Sequence, residues 1–153
     1  MRVSAKADYG LRAVLELSMA YGRGTIQSAD IAASQNIPES YLVQLLNQLR
    51  KSGLIRSVRG PRGGHELVRS PDELTVGDVL AVLDGPLDLR GRGEDRPSSG
   101  SDELFRDVWS DVESAIQEVI SSITFAELSS REMPRRKPIW PSCSSTTATI
   151  EAA

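Results

Sequence analysis

The sequence holds one cysteine, Cys143, and one histidine, His65, in 153 residues. A lone thiol excludes an intrachain disulfide and any metal site built on several cysteines. Aromatic residues make up only 5% of the chain, so the core has to be mostly aliphatic. No run of about 18 apolar residues occurs, so no transmembrane helix is expected. The opening MRVSAKADYG lacks the apolar stretch of a signal peptide. A cytoplasmic protein with no membrane partner is expected. Catalytic chemistry is equally thin. His65 has no nucleophile or orienting acid placed beside it. Gly60, Gly63 and Gly64 lack the Lys-Ser/Thr ending of a phosphate loop, and the acids of 84–113 lack calcium-loop spacing. The expectation is no enzyme, no catalytic residue, no metal site and no cofactor.

What the chain does have is a divided charge. The net charge of −3 hides a basic front and an acidic back. Residues 1–70 carry ten Lys/Arg against five Asp/Glu, and residues 71–133 carry five against fifteen. A basic half on an acidic protein points to one electropositive face rather than general polyanion binding. The charge is most lopsided in YLVQLLNQLRKSGLIRSVRGPRGGHELVR, Tyr41 to Arg69. There Arg50, Lys51, Arg56, Arg59, Arg62 and Arg69 face a single acid, Glu66.

Periodicity organises the front half. Leu11, Val14, Leu15 and Met19 predict a helix over 6–21, stopped by Gly22 and Gly24. A short helix is predicted over 28–35, with Ile31 and Ala32 inward. A third runs over 39–51, where Leu42, Leu45, Leu46 and Leu49 form a core stripe at i, i+3, i+4 and i+7. Its other face carries Ser40, Gln44, Asn47, Gln48 and Lys51. Two short helices at a sharp turn make a helix-turn-helix, and the polar-faced second one is the candidate recognition helix. Residues 54–59 and 65–69 then predict a hairpin around Gly60-Pro61-Arg62-Gly63-Gly64. Thr75 can cap a fourth helix over 76–83.

The polar face carries the chemistry of DNA readout. Glutamine and asparagine amides pair in a bidentate way with adenine, which makes Gln44, Asn47 and Gln48 candidate base readers. Glu39, Ser40 and Tyr41 lie at the helix start, where recognition helices meet base edges or phosphates. Val43 is apolar on a face that should be wet, and either meets a thymine methyl or shields a neighbour. Arg59 and Arg62 in the hairpin can reach a minor groove or phosphates. Lys6, Lys51 and Arg56 are candidate phosphate contacts, giving affinity without sequence preference.

Residues 84–101, DGPLDLRGRGEDRPSSGS, read as a flexible loop. A long helix follows over 102–123. Phe105, Val108, Trp109, Val112, Ile116, Val119, Ile120 and Ile123 form a broad apolar stripe along it. About 21 residues make a rod roughly 30 Å long. So apolar a rod needs a partner surface, either a second copy of itself or the body of its own subunit. Thr124 and Glu127 look like a capping box opening a last short helix. The chain from 132 to 153 is expected to be disordered, with Trp140 its only large anchor. The division is therefore a DNA-binding unit over 1–83, a linker over 84–101, a dimerisation unit over 102–131 and a tail.

These pieces resemble the IscR/NsrR/CymR-type (Rrf-two) family of bacterial transcription regulators. The resemblance rests on MRVSAKADYGLRA, IPESYLVQLLNQLRKSGLIRSVRGPRGGHEL, TVGDVLAVLDGPL and SSITFAEL. It implies a mostly α fold: a winged helix-turn-helix DNA-binding domain plus a long C-terminal dimerisation helix. It also implies a homodimer on a partly palindromic operator, usually repressing. Many relatives hold an iron–sulfur cluster with three cysteines in the loop before the long helix. Here the matching places fall near Gly91, Pro97 and Glu103, and a place that is histidine in some relatives is Arg106. Asp8 matches a carboxylate ligand of some relatives. The chain is thus similar to the cluster-free branch, one member of which responds through a partner enzyme. An effector protein or small molecule is therefore an expected partner beside DNA. The alternatives are a winged-helix module that binds protein instead of DNA, and a metal or redox sensor.

Overall fold

The computed structural model describes residues 3–89, 100–135 and 139. Six α-helices and one two-stranded sheet are found among them. They are α1 (Ala5–Met19), α2 (Ser28–Gln35), α3 (Glu39–Lys51), β1 (Ile55–Val58), β2 (Gly64–Leu67), α4 (Val76–Leu83), α5 (Asp102–Ser122) and α6 (Phe125–Glu132). A short 3-10 turn over Met133–Arg135 follows. Every predicted helix is present. The mostly α winged-helix expectation stands.

Helix ends follow local chemistry. Ser4 caps α1 by accepting the Ala7 amide, and Thr75 and Asp78 form a reciprocal capping box on α4. Such caps typically contribute about 1 kcal/mol. Asn36 closes α2 in the left-handed region at φ 53°, a conformation asparagine tolerates better than most residues. Thr124 caps α6 through the Glu127 amide. The Glu127 carboxylate goes instead to Arg131, so the capping box expected there is only half formed.

The core is aliphatic. Leu42, Leu45, Leu46 and Leu49 of α3 are all buried against Ala13, Val14 and Leu17 of α1, Ile31 of α2, and Ile55 and Leu67 of the hairpin. β1 and β2 pair antiparallel with Ile55 opposite Leu67, which points both into this core. The α1–α4 crossing is close, since a Cβ on Gly10 would lie 2.0 Å from a Leu83 methyl. One charged group is inside among the described residues: Glu16 is 1% exposed and accepts hydrogen bonds from Ser34 and Gln35, at the end of α2. A buried acid needs such partners to offset its lost hydration.

The C-terminal segment returns to the front unit. Phe125 is fully buried in the same core as the α3 leucines. The chain reaches it by backbone pairing, Val76 N–H to Ile123 C=O and Phe125 N–H to Leu74 C=O, each 2.9 Å. So α6 packs into the core of the front unit. The tail also starts later than expected: the helical path continues to Arg135, and Ile139 packs against the core. Residues 84–89 run against α5, with the Leu89 amide donating to Glu113 at 2.8 Å. The rest of the expected linker, 90–99, and Trp140 and Cys143 lie outside the described residues.

Because Phe125 is part of the core of the reading unit, Phe125→Ala should cost about 3–5 kcal/mol by denaturant unfolding. A loss below about 1 kcal/mol would show that α6 is a dispensable appendage.

Candidate nucleic-acid interface

The α3 helix is two-sided. With the leucine stripe buried, Glu39, Ser40, Val43, Gln44, Asn47, Gln48 and Lys51 are all exposed. A continuous outer face of amides and one hydroxyl is thus held on a rigid rod. Val43 is 41% exposed, an apolar point between Ser40 and Asn47. Glu39 accepts a hydrogen bond from Ser28 at 3.4 Å, joining the starts of α2 and α3. Its charge also suits the positive end of the helix.

Tyr41 is placed differently from its neighbours. It is half-buried, and its ring meets Tyr9 of α1 edge-on, 5.9 Å between centroids. Its body is therefore a packing element that sets where α3 lies on α1. Lys6 is also engaged: its ammonium donates to the Leu83 carbonyl at the end of α4. That bond places it at a helix C-terminus, where a cation is favourable.

The wing projects beside α3. Arg56 pairs with Glu66 across the hairpin at 2.7 Å, an exposed pair that stabilises little by itself but spreads the two side chains over the strands. Arg59 and Arg62 are exposed at the tip. The tip is tied down by backbone. Thr25 donates its hydroxyl to the Arg62 carbonyl at 2.8 Å. Ile26 and His65 exchange amide bonds of 3.0 and 2.7 Å, adding Ile26, two residues before α2, as a third rung. Gly64 sits at φ 158°, and a Cβ there would lie 2.5 Å from the Ile26 carbonyl oxygen.

His65 lies inside this junction, with Nδ1 3.1 Å from the Ser57 hydroxyl. Burial, and secondarily the Arg50 guanidinium, hold the imidazole below its ordinary value of 6.5. It is a neutral strut at pH 7. Thr25 was not picked out by sequence reasoning, and Arg50 and Gly64 were read only as part of the basic cluster and of the hairpin turn. Thr25 and Gly64 act through contacts made across about 40 residues, which leave no local signal.

The stripe on α5 divides. Phe105, Val108, Trp109, Val112 and Val119 are 55%, 45%, 45%, 37% and 58% exposed. Ile116, Ile120 and Ile123 are partly buried. Leu104, 64% exposed, extends the stripe and was missed. The flank bearing Glu113, Ile116, Gln117, Ile120 and Ser121 turns toward α4 and the 84–89 segment. It packs so closely that a Cβ on Gly77 would lie 2.9 Å from the Ser121 hydroxyl oxygen.

A helix-turn-helix with an exposed amide face, an arginine-tipped wing and a long protruding helix defines a winged-helix DNA-binding regulator. The Rrf2 family, described as iron-dependent transcriptional regulators, matches residues 3–131. Rv1287 of Mycobacterium tuberculosis is 39% identical over 136 residues, 88% of this chain and 84% of that one. The HTH-type transcriptional regulator CymR of Bacillus subtilis is 37% identical over 130 residues, 85% of this chain and 91% of that one. The solved structure of CymR, the global cysteine regulator of B. subtilis, superposes with TM-score 0.74 at 35% identity, over 86% of this chain and 98% of that one. That of T. potens IscR superposes with TM-score 0.71 at 36% identity, over 90% and 93%. The chain belongs to the Rrf2 family, and it is a DNA-binding transcriptional regulator rather than an enzyme. No helix among the described residues is long and apolar enough to cross a membrane.

The donor set does not fit the iron–sulfur chemistry that the family implies. Such clusters are held by several thiolates, and this sequence has one cysteine in total. Asp8, the residue matching a carboxylate ligand, is paired with Arg12 at 2.9 Å on its own helix. His65 is taken up by the wing.

Gly64→Ala should loosen the wing by forcing Ile26 and His65 apart. Amide exchange in 55–67 should quicken severalfold while the α3 core stays protected. His65 adds a pH dependence. Its folded value is depressed, so the unfolded chain takes up the proton first as pH falls below about 6.5. Wild type should therefore lose stability relative to His65→Gln on going from pH 7 to pH 5, and show no such difference between pH 7 and 8.

Proposed function

We propose that this regulator is a cytoplasmic homodimeric repressor that works without an iron–sulfur cluster. Two α3 helices enter successive major grooves of one operator, roughly 34 Å apart. The observation that carries this reading is the two-sidedness of α3, with its leucines all buried and its amides all exposed. Gln44, Asn47 and Gln48 read base edges, Ser40 and Lys51 take phosphate, and Arg59 and Arg62 reach the flanking groove or backbone. Arg56 contributes field more than contact, because Glu66 shares its charge. Lys6 and Tyr41 position the reader.

Pairing is supported by α5. Its exposed stripe is too large and continuous for a surface left in water, and the flank facing α4 is already used. A second copy presents an identical stripe, which a twofold axis brings into register. Phe105, Val108, Trp109, Val112 and Val119 would close against their counterparts. Ile116, Ile120 and Ile123 would serve both their own subunit and the seam. The absence of the thiolates needed for a cluster supports a signal of another kind.

Gln44→Ala and Arg59→Ala should each weaken specific operator binding by about 1–3 kcal/mol where the contact is to bases. Operator fragments selected from genomic DNA and titrated in a retardation assay would measure this. Lys51→Ala should weaken all duplexes alike and lower the salt slope by about one. Unchanged binding in all three variants would sink the reading in favour of a protein-binding winged helix. Trp109→Glu should give monomers in sedimentation and lose the operator without unfolding the head.

A further inference from the structure

The α1 helix carries two docking points for the helix-turn-helix, one for each arm. Tyr9 meets the Tyr41 ring near the start of α3. Glu16 takes the end of α2, accepting from the Ser34 hydroxyl at 2.7 Å and from the Gln35 side-chain amide. The two residues stand at i and i+7, which puts them on one face of the helix, about 10 Å apart along its axis. Ala13, on the same stripe between them, is fully buried.

The turn between the two arms begins at the Glu16 contact. Gln35 is the last residue of α2, Asn36 follows in the left-handed region, and Glu39 opens α3. The Ile37 amide donates back to the Ala32 carbonyl at 2.9 Å, so the turn is short and closed. A tie on Gln35 therefore acts on the direction in which the chain enters α3. Both donors meet the same carboxylate oxygen, Oε1. Hydrogen bonds allow little range of angle, whereas contacts between aliphatic side chains tolerate repacking.

An acid is an expensive choice at this place. Glu16 is 1% exposed, and taking a carboxylate out of water opposes folding unless its bonds are well made. Its neighbours Val14, Leu17 and Ala20 are apolar and buried, so an aliphatic side chain of like size would suit the burial. Nor can the carboxylate meet a duplex, since it is enclosed while Ser40, Gln44 and Asn47 are exposed. What it supplies is a fixed angle between α1 and the end of α2.

We infer that Glu16 is a positioning residue for DNA reading. It sets the direction of α2 and, through the turn, that of α3, so that the amide face meets base edges in register. This role rests on α3 as the reading helix, as proposed above. With Glu16 in place, the two ties on α1 hold both arms at once. Without it, α2 swings about the Tyr9–Tyr41 contact while the leucine face stays buried. The head is then folded but misaimed.

Binding of the full chain to a selected operator and to an unrelated duplex tests this. Glu16→Met, an apolar side chain of similar length, should stay folded and lower operator affinity about tenfold, the scale of one or two lost hydrogen bonds. Affinity for the unrelated duplex, which depends on phosphate contacts, should stay within about twofold. Glu16→Gln should recover most of the operator binding, because its amide oxygen can accept both donors. The double variant Ser34→Ala, Gln35→Ala breaks the tie from the other side and should repeat the loss with α1 untouched; it decides the matter if Glu16→Met does not fold. Wild-type operator affinity in the variants that break the tie overturns the role. So does an equal loss on both duplexes, or a Gln variant as weak as the Met variant. Amide spectra read the tie without DNA: shifts in the tie-breaking variants should gather over 33–41 and spare 45–49, and a turn left unshifted also overturns it. A wild-type chain that prefers no operator sinks the reading assigned to α3, and the amide shifts still decide whether Glu16 orients the turn.

Discussion

Burial of the α3 leucine face is the constraint on which the rest of the structure depends. Four leucines on one stripe, each worth about 1.5–3 kcal/mol when taken out of water, hold the helix against α1 and the hairpin. The same burial turns Ser40, Val43, Gln44, Asn47 and Gln48 outward. Reading surface and core are thus one decision made by one helix. Tyr41 on Tyr9 and the Ser28–Glu39 contact then fix its tilt and its start. The wing is fastened to this rod through Ile55, Leu67 and the Ile26–His65 rung, so its arginines move with α3.

The α5 helix joins this unit to whatever lies beyond it, and it does so on two flanks. One flank, with Glu113, Ile116, Gln117, Ile120 and Ser121, belongs to α4 and the 84–89 segment. The other, with Phe105, Val108, Trp109 and Val112, faces solvent in the single chain. Both flanks are carried on one helix. The return of α6 into the core closes the loop: α5 is anchored at its C-terminal end by Phe125, and its first turns are exposed among the described residues.

Much of the fold was legible because its signals are local. The i, i+3, i+4, i+7 leucines, the Gly and Pro stops and the Thr75-Asp78 cap each act within a few residues. The resemblance to the Rrf-two family rested on residues in these same segments, and the family match covers them. Local signals also misled at some places. Lys6 reads as a free basic residue, yet it reaches a carbonyl 77 positions along the chain. Phe125 reads as part of a terminal appendage, yet it is core. Glu16 drew no reading from the sequence, and it is buried among Ser34 and Gln35.

By itself, then, the sequence determined which helices form, which side of α3 is apolar, the basic hairpin beside it and the shortage of thiolates. Each of these follows from spacing or composition, which need no knowledge of the distant chain. Only the tertiary structure decided how the α5 stripe is shared, that Phe125 of α6 enters the core, and that Gly64 must lack a side chain. Those outcomes depend on which surfaces meet across tens of residues. A helix's own periodicity states that a face must be buried, and leaves open against what.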